Sequence, residues 1–134
     1  MAGELFIMKT KTIVASICVL AGLIALLPLV SARADEKDVF GAIAYSGKTQ
    51  QYGIGAGDTK EEAKKNALKF CENADCQVLR EYKNDCGALA ISKDGYYGVG
   101  EAKTKDEAKE IAMKFCKEKG KNCELVASDC TSDK

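Results

Sequence analysis

The hydrophobic pattern of this chain repeats itself. Residues 41–44 read Gly-Ala-Ile-Ala, and residues 87–90 read Gly-Ala-Leu-Ala. Each is a short run of small and apolar residues that suits a packed strand. A polar turn follows, SGKTQ in the first copy and SKDG in the second. Then come Tyr52-Gly-Ile-Gly and Tyr97-Gly-Val-Gly, strands with glycine at alternate positions. Glycine at that spacing strips one face of side chains and lets another element approach closely. Two such strands across a short glycine-bearing turn predict a hairpin.

The pattern then changes to helical spacing. TKEEAKKNALKFC (59–71) and TKDEAKEIAMKFC (104–116) each open on threonine, with glutamate three residues later. That is the signature of a helix start, in which Thr59 and Thr104 cap and Glu62 and Glu107 complete a capping box. Ala63, Ala67, Phe70 and Cys71 share one face, as do Ala108, Ile111, Ala112, Phe115 and Cys116. The alanines let each helix sit close to its sheet, and the two phenylalanines are expected in the core. A closing strand follows each helix, CQVLREYKNDC from Cys76 and CELVASDC from Cys123. The prediction is an α+β fold. Two pseudo-symmetric β-β-α-β repeats, 39–86 and 87–130, form one antiparallel-sheet domain with two helices.

Aligned from Gly41 and Gly87 with one gap in the turn, sixteen of thirty paired positions up to Cys71 and Cys116 are identical. This is internal duplication. Two copies are too few for a solenoid, so a single domain with a pseudo-twofold is expected.

Ahead of the repeats, Lys9 and Lys11 precede an almost wholly apolar run over 12–30, and Ser31-Ala32-Arg33-Ala34 ends on Ala-x-Ala. This reads as a secretory signal peptide, 1–34, cleaved after Ala34. An uncleaved anchor is the alternative, since the run is just long enough to cross a bilayer. Cleavage leaves a mature domain, 35–134, with six cysteines: Cys71, Cys76, Cys86, Cys116, Cys123 and Cys130. An even count in a short exported chain reads as a disulfide framework. Zinc fits less well, because the chain has no histidine. Six cysteines allow fifteen connectivities. Symmetry favours Cys71–Cys76 and Cys116–Cys123 within the repeats. It leaves Cys86 with Cys130, as equivalent ends of the closing strands, to join the halves.

Charge narrows the partners. Residues 35–134 carry 17 basic and 19 acidic groups, a net of −2. Neither nucleic acid nor, after cleavage, a membrane surface is expected as partner. Without histidine there is no Ser-His-Asp or Cys-His pair. GIGAGDTKEEA resembles a phosphate cradle but lacks the Gly-Lys-Ser/Thr of a P-loop, and strand packing explains its glycines better. Glu61-Glu62 and Asp106-Glu107 suit the first turn of a helix rather than a hydrolytic cleft. No cofactor or metal is implied, and the chain is read as a non-enzyme. Tyr96 and Tyr97 are the best candidates for a partner surface. In the bland reading one of them packs inward.

At GAIAYS, CGALAIS, the Tyr-Gly-x-Gly strands and the T-x-x-E-A helices the chain resembles the domain of unknown function numbered 4189, over about 39–130. That family comprises small exported bacterial proteins. The resemblance implies a periplasmic or secreted, internally repeated α+β domain, and no activity. The function expected is that of a bacterial envelope protein that binds another envelope or extracellular protein. It would serve as an accessory or assembly factor for a surface structure such as a pilus. The alternatives are a secreted effector or inhibitor acting on a competitor or host, and an enzyme of unrecognised type.

Overall fold

The computed structural model describes residues 36–133. The expected signal peptide and its cleavage site lie outside the described residues. The elements are β1 (Phe40–Tyr45), β2 (Tyr52–Gly57), α1 (Lys60–Cys71), β3 (Gln77–Lys83), β4 (Cys86–Ser92), β5 (Tyr97–Ala102), α2 (Lys105–Lys119) and β6 (Cys123–Cys130). A 3-10 turn, Thr131–Asp133, ends the described chain. The order is β-β-α-β twice, as the repeat predicts.

The strands form two antiparallel three-stranded sheets, ordered β2-β1-β3 and β5-β4-β6. Alternation along β1 and β4 explains the layering. Ala42 and Ala44 pack with Ala63, Ala67 and Cys71 of α1. Ala88 and Ala90 pack with Ala108, Ala112 and Cys116 of α2. The residues between them, Ile43, Tyr45, Leu89 and Ile91, point the other way and meet in a third cluster between the sheets. The result is four layers: helix, sheet, sheet, helix.

Each helix is seated on a glycine row. A Cβ on Gly53 or Gly55 would collide with the backbone of α1 around Ala67, and one on Gly98 or Gly100 with that of α2 around Ala108 and Ala112. The glycines of GIGAG therefore serve close packing against α1.

That closeness corrects the placement of the phenylalanines. Phe70 is 62% exposed and Phe115 48%. The buried faces are Ala63, Ala67, Cys71 and Ala108, Ala112, Cys116, four residues apart. Between an alanine row and a glycine row there is no room for a ring, so both rings are turned out to the flanks. We expect Phe70→Ala and Phe115→Ala each to cost less than about 1 kcal/mol, the range of surface substitutions. Urea denaturation of both variants checks this.

The helix caps follow the sequence with one difference. Thr59 Oγ1 accepts from the Glu62 N–H at 3.1 Å, and Thr104 Oγ1 from the Glu107 N–H at 3.3 Å. The reciprocal bond of α1 runs from the Asp58 N–H to the Glu62 carboxylate at 3.0 Å, one residue before the cap. The described bonds of α2 show only the threonine half.

Three disulfides join Cys71 to Cys76, Cys116 to Cys123 and Cys86 to Cys130. The pairing matches symmetry, but the place of the third corrects the reasoning. β3 ends at Lys83, Asn84 turns the chain with φ 51°, and Cys86 opens β4. Cys86 lies opposite Cys130 in register. The bond therefore closes the sheet of repeat two and does not join the halves. In repeat one the matching register pair is Phe40 and Lys83, with Lys83 Nζ 5.8 Å from the ring centroid.

The halves are held by packing instead. Tyr82, 4% exposed, sits opposite Gly41 in its own sheet. Its ring lies over both Gly41 and Gly87, where any Cβ would strike it. One ring fills the centre, and the pseudo-symmetric position, opposite Gly87, is Asp129.

Candidate functional site

The exposed aromatics that the sequence singled out stand at the hairpin ends. Each hairpin closes on a buried serine. The Ser46 N–H donates to Gln51 O at 2.9 Å and the Ser92 N–H to Tyr96 O at 2.8 Å. Their hydroxyls hold the turns, Ser46 Oγ accepting from Thr49 N–H and Ser92 Oγ from Tyr96 N–H. Gly95, at φ 84°, supplies the left-handed residue that the shorter second turn needs.

Tyr96 is 49% exposed and Tyr97 44%. Neither is fully buried. Tyr97 is nonetheless supported from beneath. Its ring centroid is 5.4 Å from that of buried Tyr45, tilted by 60°. Tyr45 donates its hydroxyl to Gly95 O at 3.1 Å, tying strand β1 of repeat one to the turn of repeat two. Burial pushes the Tyr45 hydroxyl pKa up, which keeps it a donor.

Two open depressions flank these hairpins, related by the repeat. One, about 330 Å³, is lined by Tyr45, Ser46, Gln77, Leu79, Gly95 and Tyr97. The other, about 140 Å³, is lined by Ile91, Ser92, Glu124, Val126, Gln50 and Tyr52. Each borrows one tyrosine from the opposite repeat, Tyr97 in the first and Tyr52 in the second. Leu79 and Val126 are there because each β3–β1 and β6–β4 ladder skips a residue at that point. A bulge of this kind re-aims a side chain.

Sequence reasoning missed Tyr52, Leu79 and Val126. A signal existed for the first, since Tyr52 and Tyr97 align as identical residues in the repeat. The bulges have no such signature. The structure does not bring Tyr52 together with Tyr97, which line different depressions.

The other candidates are dispersed. Glu61 and Glu62 lie in the first turn of α1, Asp106 and Glu107 in that of α2. All six cysteines of the described residues are paired, leaving none as thiol nucleophile or thiolate ligand. A third depression, about 630 Å³, lies beside Phe70, Val39, Ile54 and Ala56 on the flank of α1. No described helix is long and apolar enough to cross a membrane.

No curated protein and no solved structure matches the chain. One family does, under the description "Domain of unknown function (DUF4189)", over residues 40–130. The match runs from the first residue of β1 to the last of β6 and takes in both repeats and all six paired cysteines. The chain belongs to this family of domains of unknown function.

Proposed function

We propose that this is an exported, non-enzymatic envelope protein that works by binding another protein through its hairpin-end tyrosines. The observation that carries the reading is Tyr97, half exposed yet braced on buried Tyr45. An aromatic presented on a rigid support contributes contact area with little ordering cost, the property of interface hot spots. Tyr96, its neighbour in the chain, adds a second exposed ring at the same hairpin end, on the side of Gly120. The three disulfides suit an oxidising compartment, periplasm or medium. An accessory or assembly role at a surface structure such as a pilus agrees with a small, stiff binding module.

The test is cross-linking and capture of a tagged copy from fractionated producing cells, beside a Tyr96→Ala/Tyr97→Ala copy. The expected result is one reproducible envelope partner, with recovery at least about tenfold lower for the double variant, as loss of a hot spot of about 1.4 kcal/mol or more implies. Equal recovery by both copies would remove the tyrosines from the account. Recovery in the medium with no partner from the producing cell would replace it with a secreted effector or inhibitor.

A further inference from the structure

The two repeats part company after their helices. Cys71 and Cys76 are 5 residues apart, Cys116 and Cys123 7. α1 ends at its cysteine, and Glu72 caps it at φ 54°. α2 runs on through Lys117, Glu118 and Lys119 and stops at Gly120. Repeat one makes the same disulfide-closed connection without this extension, so the fold does not require it.

The extension is basic. With Lys114 and Lys121 it gathers four lysines, and Glu118 is the one acid between Met113 and Lys121. Among the described residues none of the four forms an ion pair. Lys105 and Lys109, earlier on the same helix, pair with Asp133 and Asp106. Lysine near a helix C-terminus offsets the dipole, but α1 achieves this with Lys69 alone in its last turn. Lys114 and Lys117 are three residues apart, a spacing at which like charges repel on a helix. Phe115, 48% exposed, projects from the same stretch. An open depression of about 500 Å³ follows the helix past Glu110, Met113, Lys114, Lys117 and Glu118.

We propose that the end of α2 docks an acidic protein segment that carries an apolar side chain. Lys114, Lys117, Lys119 and Lys121 meet its carboxylates, and Phe115 meets the apolar group. Charge complementarity carries the assignment, since among the described residues these four cations form no ion pair and outnumber the two acids beside them, Glu110 and Glu118. A peptide fits better than a uniformly anionic membrane. Glu110 and Glu118 lie in the patch and would be repelled by anionic lipid, whereas a segment of mixed chemistry can face them with a polar or basic group. The surface borders the tyrosine end, because a Cβ on Gly120 would meet Ser92 Cβ at 2.5 Å and Tyr96 Cβ at 3.1 Å. It does not depend on the tyrosine reading.

The purified protein would be titrated into a fluorescein-labelled octapeptide, Glu-Asp-Leu-Lys-Asp-Phe-Glu-Asp, whose lysine can face Glu110 or Glu118, and followed by anisotropy. A Lys117→Glu/Lys119→Glu/Lys121→Glu variant and Phe115→Ala would be run in parallel, with circular dichroism to confirm that each is folded. Saturable binding is expected, at least about tenfold weaker in the triple variant and about threefold or more in Phe115→Ala. Absence of saturable binding, or equal binding by the folded triple variant, would overturn the proposal. So would binding of phosphatidylglycerol–phosphatidylcholine vesicles that the triple variant loses while the peptide is ignored. A Tyr96→Ala/Tyr97→Ala copy that keeps the peptide would separate this surface from the tyrosine one.

Discussion

Gly100→Val is expected to abolish folding, and Gly100→Ala to cost at least about 3 kcal/mol, at the upper end of overpacking penalties. The reason lies in what a methyl group would meet. A Cβ there would collide with the Ala108 carbonyl oxygen and approach Ala112 N to 2.7 Å and Ala108 C to 2.8 Å. These are backbone atoms of α2, and they cannot rotate aside as a side chain would. Relief would require lifting the helix off the sheet, which would open the contacts of Ala88 and Ala90 with Ala108, Ala112 and Cys116. The companion substitution Gly47→Ala, in the first hairpin turn, meets nothing within 4 Å and should fall within about 0.5 kcal/mol of the parent. Urea denaturation with the disulfides intact measures both. Similar midpoints for Gly100→Ala and the parent would mean that α2 is not seated on the glycine row.

Tyr82→Ala should be almost as damaging, at about 3–5 kcal/mol, the usual range for truncating a buried aromatic ring. Its ring bridges Gly41 and Gly87, one from each sheet, so its removal leaves a hole where the repeats meet. Tyr82→Phe keeps the ring and isolates the hydroxyl. Burial is the main cause pushing the Tyr82 pKa well above its ordinary value, and the charges of Asp129 and Glu101 add to it. The unfolded chain therefore releases this proton first, at pH about 10. Stability from this group is intact below that pH and declines as the pH rises through it. Denaturation midpoints between pH 8 and 11 should fall less steeply for Tyr82→Phe than for the parent. Parallel profiles would mean that the hydroxyl is solvated in the folded protein.

Much of this arrangement was legible in the residues, and the limits are physical. Local signals carried well. Threonine caps, alternate glycines and the paired motif gave the order of elements, and the helix-flanking cysteines gave two disulfides. What required knowledge of three dimensions did not carry. Helical spacing places Phe70 and Phe115 near the alanine face, but only the closeness of helix to sheet decides that a ring cannot enter. The third disulfide was paired correctly for the wrong reason. Cys86 looked like the end of a closing strand because the two-residue turn at Asn84-Asp85 is invisible to hydrophobic period. The split into two facing sheets is likewise a choice between layers, which alternation along β1 and β4 permits without specifying. Of the site, Tyr96 and Tyr97 were legible as exposed aromatics. Their support by Tyr45 was not, because it crosses from one repeat to the other.

Export and oxidation underlie the whole functional account, and one measurement addresses both. The intact mass of the protein recovered from periplasm and medium should equal that of residues 35–134 less six hydrogens, and alkylation should leave it unchanged. Recovery of the full-length chain from the cytoplasm, with alkylatable thiols at Cys71, Cys76, Cys86, Cys116, Cys123 and Cys130, would contradict the account.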